Sequence, residues 1–404
     1  MNGTPTPVNA PRLGSTDPAP REVTAMTACR LLLIMWMAMA ATPAWASDTA
    51  PAASAAGTSA AALPAPAQIL EVPAPLLALL HERVIDPGYS RERRLQRLVD
   101  MIFDAQGLHL AYDPDATHTI AETWQTRRAN CLSFTLLFVS LANLAGIDAH
   151  VQEVAQVVSW YQASGVIYSV GHVNAGIVLD GRTGTVDLDH NVLYDHLGPQ
   201  RINRQRTLAH FYNNRGADRM AAGDNDAARA YFQAALGMAP DFVAAWNNLG
   251  VLDARIGNLD QARRDYETAL RLQPRHGASL SNASALYRRM GDTRQAGLLA
   301  NRLVRVQRSD PFAQYLFGAQ AEQRRDYAAA VRFYRRAVRL YETAHPFHFA
   351  LARSYFLAGD ARRASIEMQR ARDLAGENGD ALRTRYQAKL DSLQRWRQRG
   401  GNAN

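Results

Sequence analysis

The residue types best suited to covalent chemistry are a cysteine, a histidine and two aspartates within residues 131–189. Cys131 lies near the start of the stretch RRANCLSFTLLFVSLANLAG, and His172, Asp187 and Asp189 follow it along the chain. A thiolate nucleophile, an imidazole base and a carboxylate that orients the base can together attack an acyl carbon. The order of these residues therefore predicts acyl-transfer chemistry.

The stretch that contains Cys131 predicts a buried helix. Asn130 is a good N-cap because its side chain can accept from the amides of the first turn, and Gly146 suits the left-handed residue that ends a helix. The residues between them are apolar on nearly every side, which is typical of a helix inside a domain. Cys131 would then lie where the helix dipole stabilises a thiolate. The alternative is that Cys131 is a small buried apolar residue.

Three runs rich in β-branched residues follow at 149–158, 166–180 and 183–188, and they predict strands. Asp180-Gly181 is turn material between the last two, so these runs are expected to form a hairpin. If the turn centres there, position 172 faces 189 and position 174 faces 187. Either Asp187 or Asp189 could then reach the His172 imidazole, directly or on the diagonal. The alternative is that His172 is a structural residue of the strand, with its ring nitrogens hydrogen-bonded to a neighbouring residue.

The N-terminus predicts export. Arg30 precedes a short apolar run, and Ala44-Trp45-Ala46 has the small-x-small pattern of a cleavage site. Residues 1–46 are therefore interpreted as a signal peptide, with Met26 as an alternative start and an uncleaved anchor as the alternative fate. Cleavage would remove Cys29 and leave Cys131 as the one cysteine in an oxidising compartment, which favours a functional thiol. The expected location is the bacterial periplasm or cell envelope.

The region between the signal and the repeats divides at a change of composition. Residues 47–68 are rich in Ala, Pro and Ser, which predicts a disordered linker. Residues 70–204 combine the predicted strands with helical spacing over 73–106, interrupted near Pro87-Gly88. Thr119 and Glu122 have the spacing of a capping box. An α+β domain over 70–204 is expected.

This region resembles the transglutaminase-like superfamily of papain-fold cysteine enzymes over roughly residues 70–200. The resemblance is carried by Arg128-Ala-Asn-Cys131-Leu-Ser-Phe-Thr, Gly171-His172-Val-Asn174 and Val186-Asp187-Leu-Asp189. It implies a papain-like fold with Cys131 as nucleophile, His172 as base and Asp187 as orienting acid, with Asp189 as the alternative acid. The superfamily includes crosslinking transferases, peptidases, amidases and inactive binding versions.

Two accessory features could complete this predicted site. Trp124 and Gln125 are candidates for stabilising an oxyanion, as is the amide of Cys131 itself. The alternative is a divalent-metal site formed by acidic and histidine residues that lie close together in sequence, Asp187, Asp189, His190 and His196. Their spacing matches no strong metal signature, so neither a metal nor another cofactor is expected.

A 34-residue period begins near residue 209 and predicts tetratricopeptide repeats. Small residues recur at this step, as in Ala228, Ala262, Ala296, Ala330 and Ala364, and aromatics do so in Phe232, Tyr266 and Tyr334. Five repeats fit residues 209–376, at 209–242, 243–276, 277–310, 311–344 and 345–376. Residues 379–398 are expected to form a polar capping helix. The predicted fold class is therefore an α+β transglutaminase-like (papain-like) domain followed by an all-α repeat solenoid.

The repeats predict a protein or peptide partner. Asn214, Asn248 and Asn282 recur at one position of three repeats, which resembles asparagine ladders that grip extended peptides in the concave groove. Arg255, Arg288 and Arg289 are candidates for a basic lining. Residues 205–404 hold 32 basic against 19 acidic residues, a net charge of +13, whereas residues 70–204 carry −5. Because the chain is expected to be exported, an anionic envelope component fits this charge better than nucleic acid does, and a solvated basic surface fits equally well.

Two functions follow from these patterns. The first is an exported cysteine enzyme that acts on amide bonds while the repeats recruit a partner or substrate. The second is a catalytically silent adaptor in which both domains bind. No apolar run of 18 residues follows residue 50, so no membrane span is expected after signal cleavage.

Overall fold

The computed structural model describes residues 63–154, 161–163, 166–168, 172–188 and 198–375. The predicted signal peptide, most of the predicted linker, Asp189 and the predicted capping helix at 379–398 lie outside the described residues. No helix within the described part of the chain is both long and apolar enough to cross a membrane.

Three helices open the described chain and agree with the helical spacing predicted for 73–106. They are α1 (Pro66–Ile69), α2 (Ala74–Leu80), which continues as one π-helical turn (His81–Ile85), and α3 (Arg91–Phe103). Gly88 has φ +70° at the predicted interruption. The ordered chain begins earlier than expected, because Pro64 accepts a hydrogen bond of 2.7 Å from the Tyr212 hydroxyl and Ile69 is fully buried. The last residues of the predicted linker therefore belong to the folded part.

A short helix and a two-stranded parallel sheet lead to the central helix. Strand β1 (Ala111–Tyr112) pairs with β2 (Arg128–Ala129), and α4 (Ile120–Thr126) lies between them. The predicted capping box is present, since the Thr119 side chain accepts from the Glu122 amide and the Glu122 carboxylate accepts from the Thr119 amide. Helix α5 (Cys131–Leu144) follows directly.

Helix α5 packs against a four-stranded antiparallel sheet. Its strands are β3 (Asp148–Val154), β6 (His172–Leu179), β7 (Arg182–Val186) and β8 (Gln200–Arg201), in the order β7-β6-β3-β8. A separate hairpin, β4 (Tyr161–Ala163) and β5 (Val166–Tyr168), lies between β3 and β6 in sequence. The run predicted at 166–180 is thus two strands, β5 and β6, because the chain leaves the main sheet after Val154 and returns at His172.

Ten helices form the second half of the described chain, and they pair as five antiparallel hairpins. The pairs are α6 (Arg204–Ala221) with α7 (Asn225–Met238), α8 (Val243–Arg255) with α9 (Leu259–Leu272), α10 (Gly277–Arg289) with α11 (Thr293–Arg308), α12 (Pro311–Gln323) with α13 (Tyr327–Leu340), and α14 (His345–Leu357) with α15 (Ala361–Leu374). The five predicted repeats are therefore present with nearly the predicted boundaries.

The 34-residue period has a direct steric cause. A Cβ at Gly216 would lie 2.6 Å from the Phe232 ring, and the same distance separates a Cβ at Gly250 from Tyr266 and one at Gly318 from Tyr334. The first helix of each of these pairs thus needs a glycine where the aromatic ring of the second helix crosses it. The third repeat has Ala300 in place of the ring, and its first helix tolerates Ser284, whose hydroxyl donates to the Ala296 carbonyl at 2.9 Å.

The two halves of the chain share one apolar core. The largest buried cluster runs from Ile69 through α5 to Leu208, Phe211 and Tyr212 on α6, and onward to Ala245. Charged contacts reinforce this junction. Arg206 of α6 donates two hydrogen bonds of 3.0 Å to Glu153 of β3, and Arg215 binds Glu122 of α4. The first repeat helix is therefore part of the α+β core.

Candidate active site

The N-terminus of α5 is held by its cap and by the loop that precedes α4. The Asn130 side chain accepts from the Ser133 amide at 2.9 Å, as predicted, and its amide nitrogen donates to the Thr117 hydroxyl at 2.9 Å. The Ser133 hydroxyl donates to the Ala116 carbonyl and accepts from the His118 amide. These bonds between buried groups define the position of the first turn of α5, and thus of Cys131.

Cys131 is half-buried at the first position of this helix. The Thr135 hydroxyl, one turn further along, donates to the Cys131 carbonyl at 2.7 Å and lies 3.5 Å from the Val173 carbonyl of β6. The helix is thereby fastened to the strand that carries the histidine. Because the thiol is partly exposed and the helix N-terminus is fixed, a substrate can bring its acyl carbon up to the sulfur without a rearrangement of the protein.

The β6–β7 hairpin has the predicted register. Asp180 and Gly181 form its turn with φ values of +48° and +76°, and Ala175 pairs with Val186. His172 Nε2 lies 2.7 Å from Asp187 Oδ2, although Asp187 stands on the diagonal. The Asn174 amide donates to the same oxygen at 3.2 Å. Asp187 thus contacts both residues that share its face of the hairpin, while Asp189 lies outside the described residues.

The Cys131 side chain lies close enough to the His172 imidazole to raise its pKa. Because Nε2 of His172 faces Asp187, Nδ1 is the ring nitrogen available to the thiol. Burial alone would lower the pKa of His172, but hydrogen bonds to Asp187 and Cys131 outweigh burial and raise that pKa to about 10. Both side chains of the His172–Asp187 pair are only 9% exposed, so solvent screens their interaction little. The imidazole is therefore held as its cation at neutral pH.

The first turn of α5 also offers amide donors. The amides of the first three helical residues have no acceptor within the helix, and of these the Ser133 amide is used by Asn130. The amides of Cys131 and Leu132 can therefore face an oxyanion. Trp124, by contrast, packs against the apolar core, and the Arg127 guanidinium lies 3.7 Å from its ring centre. Gln125 is exposed on α4. The Cys131 amide is thus better placed to stabilise an oxyanion than the side chain of Trp124 or Gln125. The role of those two side chains stays a prediction.

No group of three or more His, Cys, Asp and Glu residues that could hold a metal ion occurs in the described ranges. Of the four residues weighed as metal ligands, Asp187 binds His172. Asp189, His190 and His196 lie outside the described residues.

Two residues of the predicted asparagine ladder, Asn248 and Asn282, are buried and bonded to the neighbouring repeat. Asn248 and Asn282 are 2% and 7% exposed. The Asn248 amide donates to Asn213 at 2.9 Å, and the Asn282 amide donates to Asn247 at 3.1 Å. These asparagines thus join neighbouring repeats to each other, and Asn214 alone of the three predicted residues is half-buried. Asn213 and Asn247 are also 34 residues apart, and that recurrence is the sequence signal from which this network could have been found.

A tetratricopeptide-repeat family model matches residues 213–276. No curated protein matches the chain significantly. Among solved structures, MamA from Desulfovibrio magneticus is 18% identical, with 41% of this chain and 94% of that one covered and a TM-score of 0.24. YrrB, described as a TPR protein with an unusual peptide-binding site, is 16% identical, with coverages of 45% and 92% and a TM-score of 0.25. A repeat protein from Parabacteroides merdae is 18% identical, with coverages of 46% and 78% and a TM-score of 0.24.

These TM-scores are too low to support any argument about this chain. The repeat assignment depends instead on the family match, the five helix pairs and the glycine–aromatic crossings. Residues from about 200 to 374 form a tetratricopeptide-repeat solenoid, a fold that indicates interaction with other proteins.

Proposed function

We propose that this protein is an exported cysteine-dependent enzyme that cleaves or transfers acyl groups at amide bonds of a protein or peptide. The resemblance to the transglutaminase-like superfamily supports this assignment, and the repeats would recruit the partner or substrate. The single observation that carries the proposal is the contact of His172 with both Cys131 and Asp187, beside the N-terminus of a buried helix.

The chemistry would proceed in two balanced steps. The Cys131 thiolate attacks the amide carbon to form a tetrahedral oxyanion, which the amides of Cys131 and Leu132 stabilise. The C–N bond then breaks, the His172 imidazolium gives its proton to the departing amine, and a thioester remains on the sulfur. Water or a second amine next loses a proton to His172 and attacks the thioester, which releases the acyl product and restores the thiolate. Asp187 and Asn174 keep the imidazole oriented throughout.

The proposed location is the bacterial periplasm or cell envelope, from the signal pattern at residues 31–46. A reactive cysteine that has no second cysteine to pair with after signal cleavage suits this compartment only if it is used chemically.

The experiment is to incubate the mature chain with casein and a fluorescent primary amine. Fluorescent casein would report transfer to the amine, and new casein N-termini would report hydrolysis. Cys131→Ala should abolish both signals, whereas Asp187→Asn should leave a weakened enzyme. Thr185→Ala is the matched control, because Thr185 is exposed on β7 two residues before Asp187, and this variant should retain full activity.

The second candidate is a silent adaptor. It is favoured by the tetratricopeptide-repeat match at residues 213–276, because such repeats bind other proteins and carry out no chemistry themselves. An inert casein assay together with a Cys131 thiol that reacts as any exposed cysteine does would support the adaptor over the enzyme.

A further inference from the structure

Two helices of the repeat array, α11 and α13, carry arginines without any acidic residue. They are the second helices of the third and fourth repeats, and each contains four arginines and no Asp or Glu. By contrast α9, the second helix of the second repeat, contains three arginines and three acidic residues. Because lysine is nearly absent from the whole chain, arginine content alone distinguishes little. The missing acidic residues are what set α11 and α13 apart.

The arginines of α11 and α13 have no acidic partner within the described ranges, where every ion pair of the repeats involves other residues. Asp292 and Asp326, which precede the two helices, are used as N-caps and accept from helix amides. Arg336 donates to the Arg308 carbonyl at 3.0 Å, so the end of α11 adjoins α13. The dipole of α11 favours a cation at this end, but only within the last turn. The remaining arginines need a different counter-charge.

On α11 the exposed side combines arginines with apolar residues. Arg294, Arg305 and Arg308 are exposed at spacings that bring them to one side of the helix. Between them, Leu298 is 51% and Val304 is 44% exposed, so this side is apolar as well as cationic.

Helix α13 has the same character. Arg332, Arg335 and Arg339 are exposed on one side, and Leu340 at the end of the helix is 39% exposed. Tyr334, on the opposite side, is fully buried in the repeat core. The helix is therefore held by its apolar side while its cationic side remains open.

A surface of this composition fits the headgroup region of an anionic bilayer. A guanidinium binds phosphate oxygens in pairs, and aliphatic side chains between the arginines can enter the boundary with the acyl chains. A single-stranded nucleic acid would also attract arginine, but such ligands are bound by aromatic rings on which bases stack. Helix α11 has no aromatic residue, and those of α13 are buried or half-buried.

We propose that the exposed sides of α11 and α13 form a docking surface for an anionic phospholipid membrane. The arginines bind headgroup phosphates, and Leu298, Val304 and Leu340 contact the boundary with the acyl chains. The protein is thereby held at the membrane surface without spanning it. Docking does not involve Cys131, so it and the proposed enzyme activity can fail separately.

The binding test is co-sedimentation of the mature chain with vesicles of phosphatidylglycerol and phosphatidylcholine in equal parts. The chain should bind these vesicles, bind pure phosphatidylcholine far more weakly, and dissociate as salt is added. A variant that combines Arg294→Gln, Arg305→Gln, Arg332→Gln and Arg335→Gln should bind about 100-fold more weakly, because each basic residue at an anionic surface contributes roughly five-fold. A parent chain that does not bind the anionic vesicles would overturn the proposal.

A control of equal charge change separates this surface from the net charge of the chain. Arg204, Arg219, Arg264 and Arg271 are exposed on α6 and α9. Changed together to Gln, they remove the same four positive charges and should leave vesicle affinity near the parental value. Equal losses in the two variants would mean that net charge causes the binding, and would overturn the assignment to α11 and α13.

The apolar residues distinguish a bilayer from a soluble polyanion. Leu298→Ser with Leu340→Ser should weaken vesicle binding by about ten-fold and leave heparin binding unchanged. Ile256→Ser with Leu272→Ser is the matched control, because these residues are 42% and 43% exposed on other parts of the array. Unchanged vesicle affinity in the first pair, or binding of heparin without binding of vesicles, would overturn the membrane in favour of a polyanion.

A further measurement on the unaltered chain keeps the proposal testable if a variant does not fold. Modification of arginines by phenylglyoxal, read by mass spectrometry, should be slowed by anionic vesicles at Arg305 and Arg332 but not at Arg264 and Arg271. Equal protection at all four, or none at saturating vesicles, would overturn the docking surface. Cys131→Ala should bind vesicles as the parent does. An active casein assay without vesicle binding would overturn docking alone, whereas an inert assay with intact vesicle binding would overturn the enzyme function alone.

Discussion

The contact between Cys131 and His172 predicts that the thiol reacts at acidic pH and that this reactivity requires the histidine. Hydrogen bonds to Asp187 and Cys131 outweigh burial and raise the pKa of His172 to about 10 from an ordinary value of 6.5. That difference corresponds to about 5 kcal/mol in favour of the imidazolium. The raised value means that the cation, and the stability it contributes, are fully present below pH 6.5 and are lost only as the pH rises through about 10.

The size of the effect follows from thiolate populations. A cysteine with the ordinary pKa of about 8.5 is roughly 0.3% thiolate at pH 6, and as a general rule a neighbouring cation increases the thiolate fraction of a cysteine. A stabilised thiolate is intrinsically less nucleophilic, which offsets part of this gain. We therefore expect His172→Ala to lower the alkylation rate at pH 6 by about 10- to 100-fold and to change it little above pH 9.

The assay is iodoacetamide labelling of the mature chain, quantified by mass spectrometry of the peptide that contains Cys131. His150→Ala is the matched control, because His150 is a half-buried histidine on neighbouring strand β3 that contacts Gln152. Asp187→Asn should lie between wild type and His172→Ala. The reasoning is refuted if wild type and His172→Ala show the same pH profile, or if His150→Ala has an equal effect.

Three further outcomes are expected. Burial alone would raise the pKa of Glu153, but its ion-pair contacts with His210 and Arg206 lower it to about 2. Glu153→Gln should therefore cost up to about 3 kcal/mol of unfolding free energy at pH 7. Since the folded pKa is depressed, that difference is present above about pH 4.5 and should shrink as the pH falls towards 2 in urea unfolding curves. A constant difference would contradict this origin. Arg325 has φ +61° where the other four repeats have glycine, so Arg325→Gly should raise stability by about 1 kcal/mol, and a lower melting temperature would count against the strain. On export, N-terminal sequencing of native envelope protein should give Ser47, whereas intact residues 26–46 would indicate an anchor.

Local patterns in the sequence were sufficient to predict several parts of the structure. The Asn130 cap, the Thr119–Glu122 box and the Asp180-Gly181 turn depend on residues within a few positions of one another. Hairpin geometry then places Asp187 within reach of His172 from the turn alone. The repeats were equally accessible, because each is built from the contacts of one helix pair and its neighbours.

The contacts between distant parts of the chain could not be predicted in this way. Glu153 meets Arg206, and Glu122 meets Arg215, across separations that leave no periodic signal. The placement of β5 against α10 likewise depends on how the two halves pack. For the same reason, the hydrogen bond by which the Asn248 amide joins two repeats leaves no local signal in the sequence.

The first helix of the repeat array, α6, is buried against the α+β half. A tetratricopeptide array usually begins with a helix whose outer face is covered by solvent or by a cap, because each repeat needs only its neighbours. Here α6 places Leu208, Phe211 and Tyr212 in the same cluster as α5, with exposures of at most 3%. Full burial of such side chains contributes roughly 1.5–3 kcal/mol each, and part of that depends on the α+β half. The α+β half thus serves as the N-terminal cap of the solenoid.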